Sequence, residues 1–474
     1  AGAAGGRRAG RLGMTPAGLP DSIAGLRAQL AAGALDVAQA LALQRQACEA
    51  DGWHCVVALP DDAGEPPPAS LPLAGVGLAH KDIFVLPGRV PECGARHPWP
   101  DAPVRAATVI RRLAAAGSRP LAALAMAEHA SGATGENPRY PLPRNPLDAD
   151  AAVGGSSSGS AVAVAAGLCY GSLGTDTAGS VRIPAATCGV VGLMPTRGLL
   201  PGDGVAPLAG ELDTVGVLAR CADDAQAVLH AALDAAQAAA LDASATPAME
   251  RWRIATCWIH PDPAVRLDPA VHAALEDYAT ECSARGRRRE ARLAALPQWI
   301  RLAQTLLYAG SAAAHAQALR GQAPALGALA RNLALTGAAM PPAWAHAALA
   351  QRRAQVDAFV AEALADSDVL LTPALPGPVP DWSQVLTSSP GFEARRLLDL
   401  FCWLSFVNYL GLPAIVFPVG RDAAGRPISV QAIARPGGEA MLLALARQAG
   451  HSRFGGRGFA QQPGLPLARS RERV

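Results

Sequence analysis

Apolar positions along the chain recur with two periods, and the alternation between them is the first structural signal. Over 22–50, Leu26, Leu30, Leu35, Ala38, Leu41 and Leu43 form an approximate helical stripe, with Asp21 or Ser22 as its cap. Residues 60–72 are rich in proline and read as a loop. The run 73–88 is a short apolar strand interrupted by the polar pair Lys81 and Asp82. Further helices are expected over 104–117, 160–171, 222–241, 268–285 and 438–449. Short buried strands are expected near 119–126, 190–193, 214–218, 253–258, 369–376, 414–420 and 429–434. The stretch 300–366 is rich in alanine and leucine and is broken at Pro341 and Pro342, so it reads as a mainly helical cap region. Helices alternating with apolar strands predict an α/β fold with a largely buried sheet. One domain over 21–474 is expected, with 1–20 a disordered tail and Met14 the start that follows an upstream scar.

The segment 131–158 is dense in glycine, proline, asparagine and serine, and long loops of this kind are usually functional or disordered. It leads into two small-residue loops around one helix, Gly154–Ser160 and Gly174–Ser180. Small residues let the backbone approach a ligand closely and adopt unusual dihedrals. Successive N–H groups in such turns can converge on an oxyanion. Hydroxyls in both loops supply candidate nucleophiles and relays, and Asp176 with Arg182 could pair to hold the second loop. Phosphate binding at the helix start is a competing reading, but neither GxxxxGK[ST] nor a strand-borne GxGxxG is present. A flexible linker is the plainest alternative, and Val181, Ile183 and the apolar run behind them speak against it.

Composition changes this picture at one point. Among 474 residues with 41 lysines and arginines, Lys81 is the only lysine. Arginine cannot release its proton in a protein, whereas a desolvated lysine can. The lone lysine is therefore either chance survival or a group whose chemistry arginine cannot supply. A net charge of +2 and dispersed arginines give no nucleic-acid groove. No stretch reaches about 18 apolar residues, so no membrane span is expected. Nine scattered cysteines without a CxxC pair fit free thiols in a reducing, cytoplasmic setting. The histidines show no metal-ligand spacing, and no Ser-His-Asp context stands out.

The block 154–193 resembles the signature of the amidase signature family. LAGVGLAHKDIF resembles that family's lysine-bearing strand, GATGENPRYPLPRNP its loop into the signature, and LLTPALP, NYLGLPAIVFPVG and RPISVQAIA its closing strands. The resemblance covers about residues 20–455 and is weakest over 300–366. It implies a central mixed twisted sheet covered by helices on both faces. It also implies Lys81 as base, Ser180 as nucleophile and Ser156, 24 residues earlier, as the bridging serine on a cis peptide. The N–H groups of Thr177, Ala178, Gly179 and Ser180 would form the oxyanion hole, with Ser157, Asp176 and Arg182 in support. Phe401, Trp403 and Phe406 read from the sequence either as an apolar pocket wall or as ordinary core packing, and Met126, Phe401 and Phe406 are the expected substrate-pocket residues. Ala178 and Ser158 stand where the family commonly has glycine, Met194 where it often has lysine, and Leu124 and Ala125 where it has a polar pair.

The implied activity is hydrolysis of a small carboxamide through an acyl-enzyme, with no cofactor, no metal, no nucleic-acid or membrane partner, and a homodimer as the common assembly. The runner-up is the glutaminase component of a tRNA-dependent amidotransferase. Those glutaminases resemble one another in placing an acid seven residues before the asparagine matched by Asn408, and here that position is Phe401. A non-catalytic binding protein on the same fold is the alternative of another class, and the intact Lys81, Ser156 and Ser180 argue against it.

Overall fold

A computed structural model describes residues 18–60, 64–95, 97–244, 252–283, 287–321 and 325–454. The expected tail and start at Met14 lie, up to residue 17, outside the described residues. Eleven strands are described: β1 Val56–Ala58, β2 Gly77–Lys81, β3 Arg119–Leu124, β4 Gly171–Asp176, β5 Val191–Met194, β6 Thr214–Ala219, β7 Arg253–Thr256, β8 Arg287–Glu290, β9 Val369–Pro373, β10 Ala414–Arg421 and β11 Pro427–Ala434.

They form a mixed α/β arrangement, as the apolar rhythm predicts. The larger sheet runs β4-β6-β5-β10-β11-β9-β7-β8, and a smaller one runs β1-β3-β2. The pairs from β4 to β9 are antiparallel, whereas β7 is parallel to both β9 and β8, and β2 is parallel to β3. Strands β4, β5, β6, β9 and β11 are buried along their whole length, which is why their sequences read as continuous apolar or small-residue runs without polar alternation.

Three strands depart from the expected pattern. β4 has the sequence GSLGTD, whose small residues mask its strand character; its register with β6 runs from Gly171 opposite Ala219 to Asp176 opposite Thr214. β8, RRRE, lies at the edge of its sheet, where charged side chains blunt a free strand edge. β1 is only three residues long. The single helix expected over 22–50 is two, Ile23–Ala31 and Val37–Glu49. Gly33 at φ +68° turns the chain between them, and Asp36 with Gln39 forms a capping box that starts the second.

The expected cap region is helical over Leu296–Ala314, Ala316–Leu319, Ala328–Ala338 and Pro342–Ala363. Pro342 opens the last of these at a first-turn position, where a missing N–H costs nothing. Trp299, Phe359 and Phe406 pack there as a ring cluster with centroids 5.5 to 6.1 Å apart. No described helix is long and apolar enough to cross a membrane.

Candidate active site

The site lies where the end of β2, the loop before the Ser158–Ala165 helix, and the end of β4 meet. Lys81 is the last residue of β2 and is fully buried. Its Nζ is 2.7 Å from Ser156 Oγ and 2.8 Å from Thr175 Oγ1. Burial pushes the Lys81 pKa down from 10.5 to about 7, although Asp176, Asp213 and Cys93 pull the other way. The lysine can therefore be neutral near pH 7, which an arginine at this position could not be.

Ser156 is fully buried, and the Gly155–Ser156 peptide is cis. Its carbonyl accepts from Ala127 N–H at 3.2 Å, and the N–H of the next residue, Ser157, donates to the Ser180 carbonyl at 3.2 Å. Ser157 Oγ donates to the Thr175 carbonyl, tying this loop to β4. Ser180 is 8% exposed and faces a cleft, whereas Lys81 and Ser156 are covered. Its hydroxyl is thus the one in this group that a substrate can reach.

Strand alternation sends Thr175 and Asp176 to opposite faces of β4, the first toward Lys81 and the second toward Arg182. Asp176 and Arg182 are a fully buried pair at 2.9 Å. The Asp176 carboxylate accepts from Gly179, Val181 and Arg182 N–H groups, from the Arg182 guanidinium and from Asn408 Nδ2. Burial alone would raise its pKa, but Arg182 and these donors hold it below the ordinary carboxylate value. The guanidinium is completed by the Leu404 carbonyl, Gln431 Oε1 and Asn408 Oδ1. This network clamps the turn 176–182 that carries Ser180.

Of the four N–H groups expected to form an oxyanion hole, that of Gly179 is committed to Asp176 Oδ1 at 2.7 Å. Those of Thr177, Ala178 and Ser180 make no hydrogen bond among the described residues and remain for a ligand. Gly179 has φ +122°, and a Cβ there would stand 2.9 Å from Leu404 Cδ1. Gly179→Ala is accordingly expected to lower stability by about 1–3 kcal/mol and to reduce activity, read together from thermal melts and turnover.

Thr177 Oγ1 donates to Asp213 Oδ1 at 2.6 Å, and Asp213 Oδ2 accepts from Leu208 and Ala209 N–H. Burial raises the Asp213 carboxyl. His80, beside Lys81, accepts from Leu173 N–H, and burial drives its pKa down to about 3, so it is a neutral packing residue.

The cleft over Ser180 holds about 300 Å³, with Thr177, Ala178 and Phe401 in its lining. Phe406 is buried against Trp299 and Phe359, and Met126 lies in the core with its carbonyl bonded to Asn137; neither is among the lining residues. Ala130 to Ala133 form another wall, reached through His129 and Ala130 in the left-handed region at φ 47° and 59°. Sequence reasoning missed Thr175, Asp213 and Gln431, and used Asn408 only as a matched landmark without a place in the site. Among the described residues no group of three His, Cys, Asp or Glu side chains is arranged to hold a metal.

Comparison with known proteins gives a consistent picture. The family model described as Amidase matches residues 61–443. Amidase 1 of Oryza sativa subsp. japonica is 32% identical over 402 residues, covering 80% of this chain and 90% of that protein. A glutamyl-tRNA(Gln) amidotransferase component of Syntrophobacter fumaroxidans is 46% identical, but over 170 residues, 36% of this chain and 35% of that protein's length. A crystal structure of an amidase superposes with a TM-score of 0.78 at 27% identity, covering 90% of this chain and 98% of that one. The native peptide amidase of Stenotrophomonas maltophilia superposes at 0.73 with 26% identity, covering 91% and 96%.

Proposed function

Since the chain belongs to the amidase family, we propose that it hydrolyses the C–N bond of a small carboxamide through an acyl-enzyme on Ser180. The observation that carries this reading is the buried Lys81, whose Nζ sits 2.7 Å from Ser156 Oγ with a pKa lowered to about 7. Neutral Lys81 accepts the proton of Ser156, and Ser156 takes that of Ser180. The Ser180 oxygen then bonds to the carboxamide carbon. The resulting oxyanion is held by the N–H groups of Thr177, Ala178 and Ser180, each such donor contributing about 3–4 kcal/mol at comparable sites. Collapse breaks the C–N bond, and the proton held by Lys81 returns through Ser156 to the leaving nitrogen, which departs as ammonia or an amine. Water attacks the ester by the same relay and releases the carboxylate.

The test is ammonia release by the purified chain over a panel of small amides and glutamine, with Ser180→Ala as control. Release that vanishes in the variant supports the reading; release that persists at the wild-type rate overturns it. The glutaminase reading is the weaker one. The likeness to the amidotransferase component is confined to about a third of the chain, and Phe401 occupies the position where such glutaminases resemble one another in carrying an acid. Association into a homodimer carries over from the resemblance alone, and light scattering decides it; a cytoplasmic location rests on the nine scattered cysteines without a CxxC pair.

A further inference from the structure

The cleft beside Ser180 has a chemical character that goes beyond amide hydrolysis. Its outer walls come from the helical cap and from the segment before Asn408, not from the loops that hold Lys81, Ser156 and Ser180. The helix Ala328–Ala338 contributes Leu329 and Leu333, one turn apart on one face. Leu307 comes from the helix Leu296–Ala314, and Leu398 and Phe401 come from the segment before Asn408. The polar members are uncharged: Gln304 and Tyr308, again one turn apart, and hydroxyls near the nucleophile. Neither Gln304 nor Tyr308 hydrogen-bonds to protein through its side chain among the described residues. No lining residue is Asp, Glu, Lys, Arg or His.

Charged groups bonded or adjacent to the lining residues are occupied elsewhere: Asp213 accepts from Thr177 Oγ1 and from the Leu208 and Ala209 N–H groups. Glu128 accepts from Gly327 N–H, Arg395 pairs with Asp399, and Asp176 and Arg182 satisfy each other beneath the turn. Leu329 and Leu398 stay 39% and 47% exposed at the mouth, so an ammonium or carboxylate carried past them toward Ser180 would lose part of its hydration and find no counter-charge in the lining. An alkyl or aryl chain would exchange water for leucine and phenylalanine side chains.

We propose that the cleft selects neutral carboxamides with an apolar acyl chain, and rejects amides whose acyl part carries an ammonium or a carboxylate. Leu329, Leu333, Leu398 and Phe401 are the specificity-determining residues. Gln304 and Tyr308 leave room for one uncharged hydrogen-bonding group on that chain. The cleft of about 300 Å³ sits at the small end of ligand sites, so the acyl group is of modest size.

This rests on the hydrolytic reading of Ser180, and a binding measurement separates the two. The Ser180→Ala chain is titrated by calorimetry with straight-chain carboxamides from propanamide to hexanamide, with 5-aminopentanamide and with glutamine, while the unaltered chain is assayed for turnover of the same compounds. Affinity is expected to rise about fourfold per methylene, with the two charged amides weaker than pentanamide by about 10²-fold or more. Leu333→Asp, checked for an unchanged melting temperature, is expected to weaken pentanamide and strengthen 5-aminopentanamide. If that variant does not fold, Leu329→Asp takes its place, on the same wall. Glutamine or 5-aminopentanamide binding as tightly as pentanamide overturns the proposal, as does a folded aspartate variant with unchanged preference. A chain-length ladder without turnover upholds the cleft's selectivity and overturns the hydrolytic reading; turnover without the ladder does the reverse.

Discussion

Lys81→Met is expected to leave a folded protein whose amide hydrolysis has dropped by about 10²- to 10⁴-fold, the usual contribution of a positioned general base. Methionine keeps the length of the buried stem and removes the amine that sits between Ser156 and Thr175. Lys81→Arg retains the charge and is expected to be equally inactive, because a guanidinium cannot accept a proton at any pH the protein survives. A Lys81→Arg variant with near-normal turnover excludes lysine as the base. In the unaltered chain kcat/KM is expected to climb with pH and level off above about 7, where burial has placed the amine.

The same shift has a consequence for stability with a defined sign. The folded-state pKa of about 7 lies below the ordinary value of 10.5. Between them the unfolded chain binds a proton that the folded chain does not, so the unaltered protein gains stability as pH rises through that window. Relative to Lys81→Met the gain is up to about 1.4 kcal/mol per pH unit. Denaturant titrations of both proteins at pH 7 and pH 9 measure it. A difference that stays constant would mean that the lysine is charged in the folded state.

Much of this site was legible in the sequence because its chemistry is local. A lone lysine in an arginine-rich chain and two small-residue loops are visible without any contact map, and the structure brings Lys81 to within hydrogen-bond distance of Ser156. Thr175 carried a usable signal. Once Gly171–Asp176 is seen as a strand, alternation places Thr175 opposite in direction to Asp176. Glycines at 171 and 174 hid that strand. Asn408 and Gln431 lie in stretches that resemble the family's closing strands, but nothing there shows that they meet Arg182, from which they are separated by more than 220 residues of chain.

Phe401 and Phe406 show the opposite limit. Both are apolar side chains in one short stretch, and only the direction each takes from its backbone sends Phe401 to the cleft and Phe406 to the ring cluster with Trp299 and Phe359. The small-residue run 177–180 suggested a set of four free N–H groups, but a run does not reveal that the Gly179 N–H is taken by the Asp176 carboxylate.

That carboxylate underlies the second large effect. Arg182→Met is expected to cost about 3–5 kcal/mol of stability at neutral pH, the usual price of leaving one partner of a buried ion pair alone. The loss falls on a group with no route to solvent, since Asp176 and Arg182 are both fully buried. Asn408 and the N–H groups of Gly179 and Val181 would still donate to Asp176, but they supply no counter-charge. The sign with pH follows from the direction of the shift. In the unaltered protein the Asp176 pKa is held below its ordinary value of 3.8, so the pair's contribution is present above 3.8 and is lost as pH falls through the folded-state value. In Arg182→Met burial is no longer opposed by the guanidinium, the carboxyl pKa rises, and the variant becomes less stable as pH increases above 3.8. The gap between the two proteins is therefore widest near neutrality and narrows toward acid. Asp176→Asn combined with Arg182→Met removes the stranded charge and is expected to recover part of the loss at pH 7 without recovering activity, because the turn carrying Ser180 loses its clamp. Melting curves of both variants at pH 4.5 and pH 7.5 decide the matter: an Arg182→Met penalty that is the same at both values would show that losing the guanidinium does not raise the Asp176 pKa into that range.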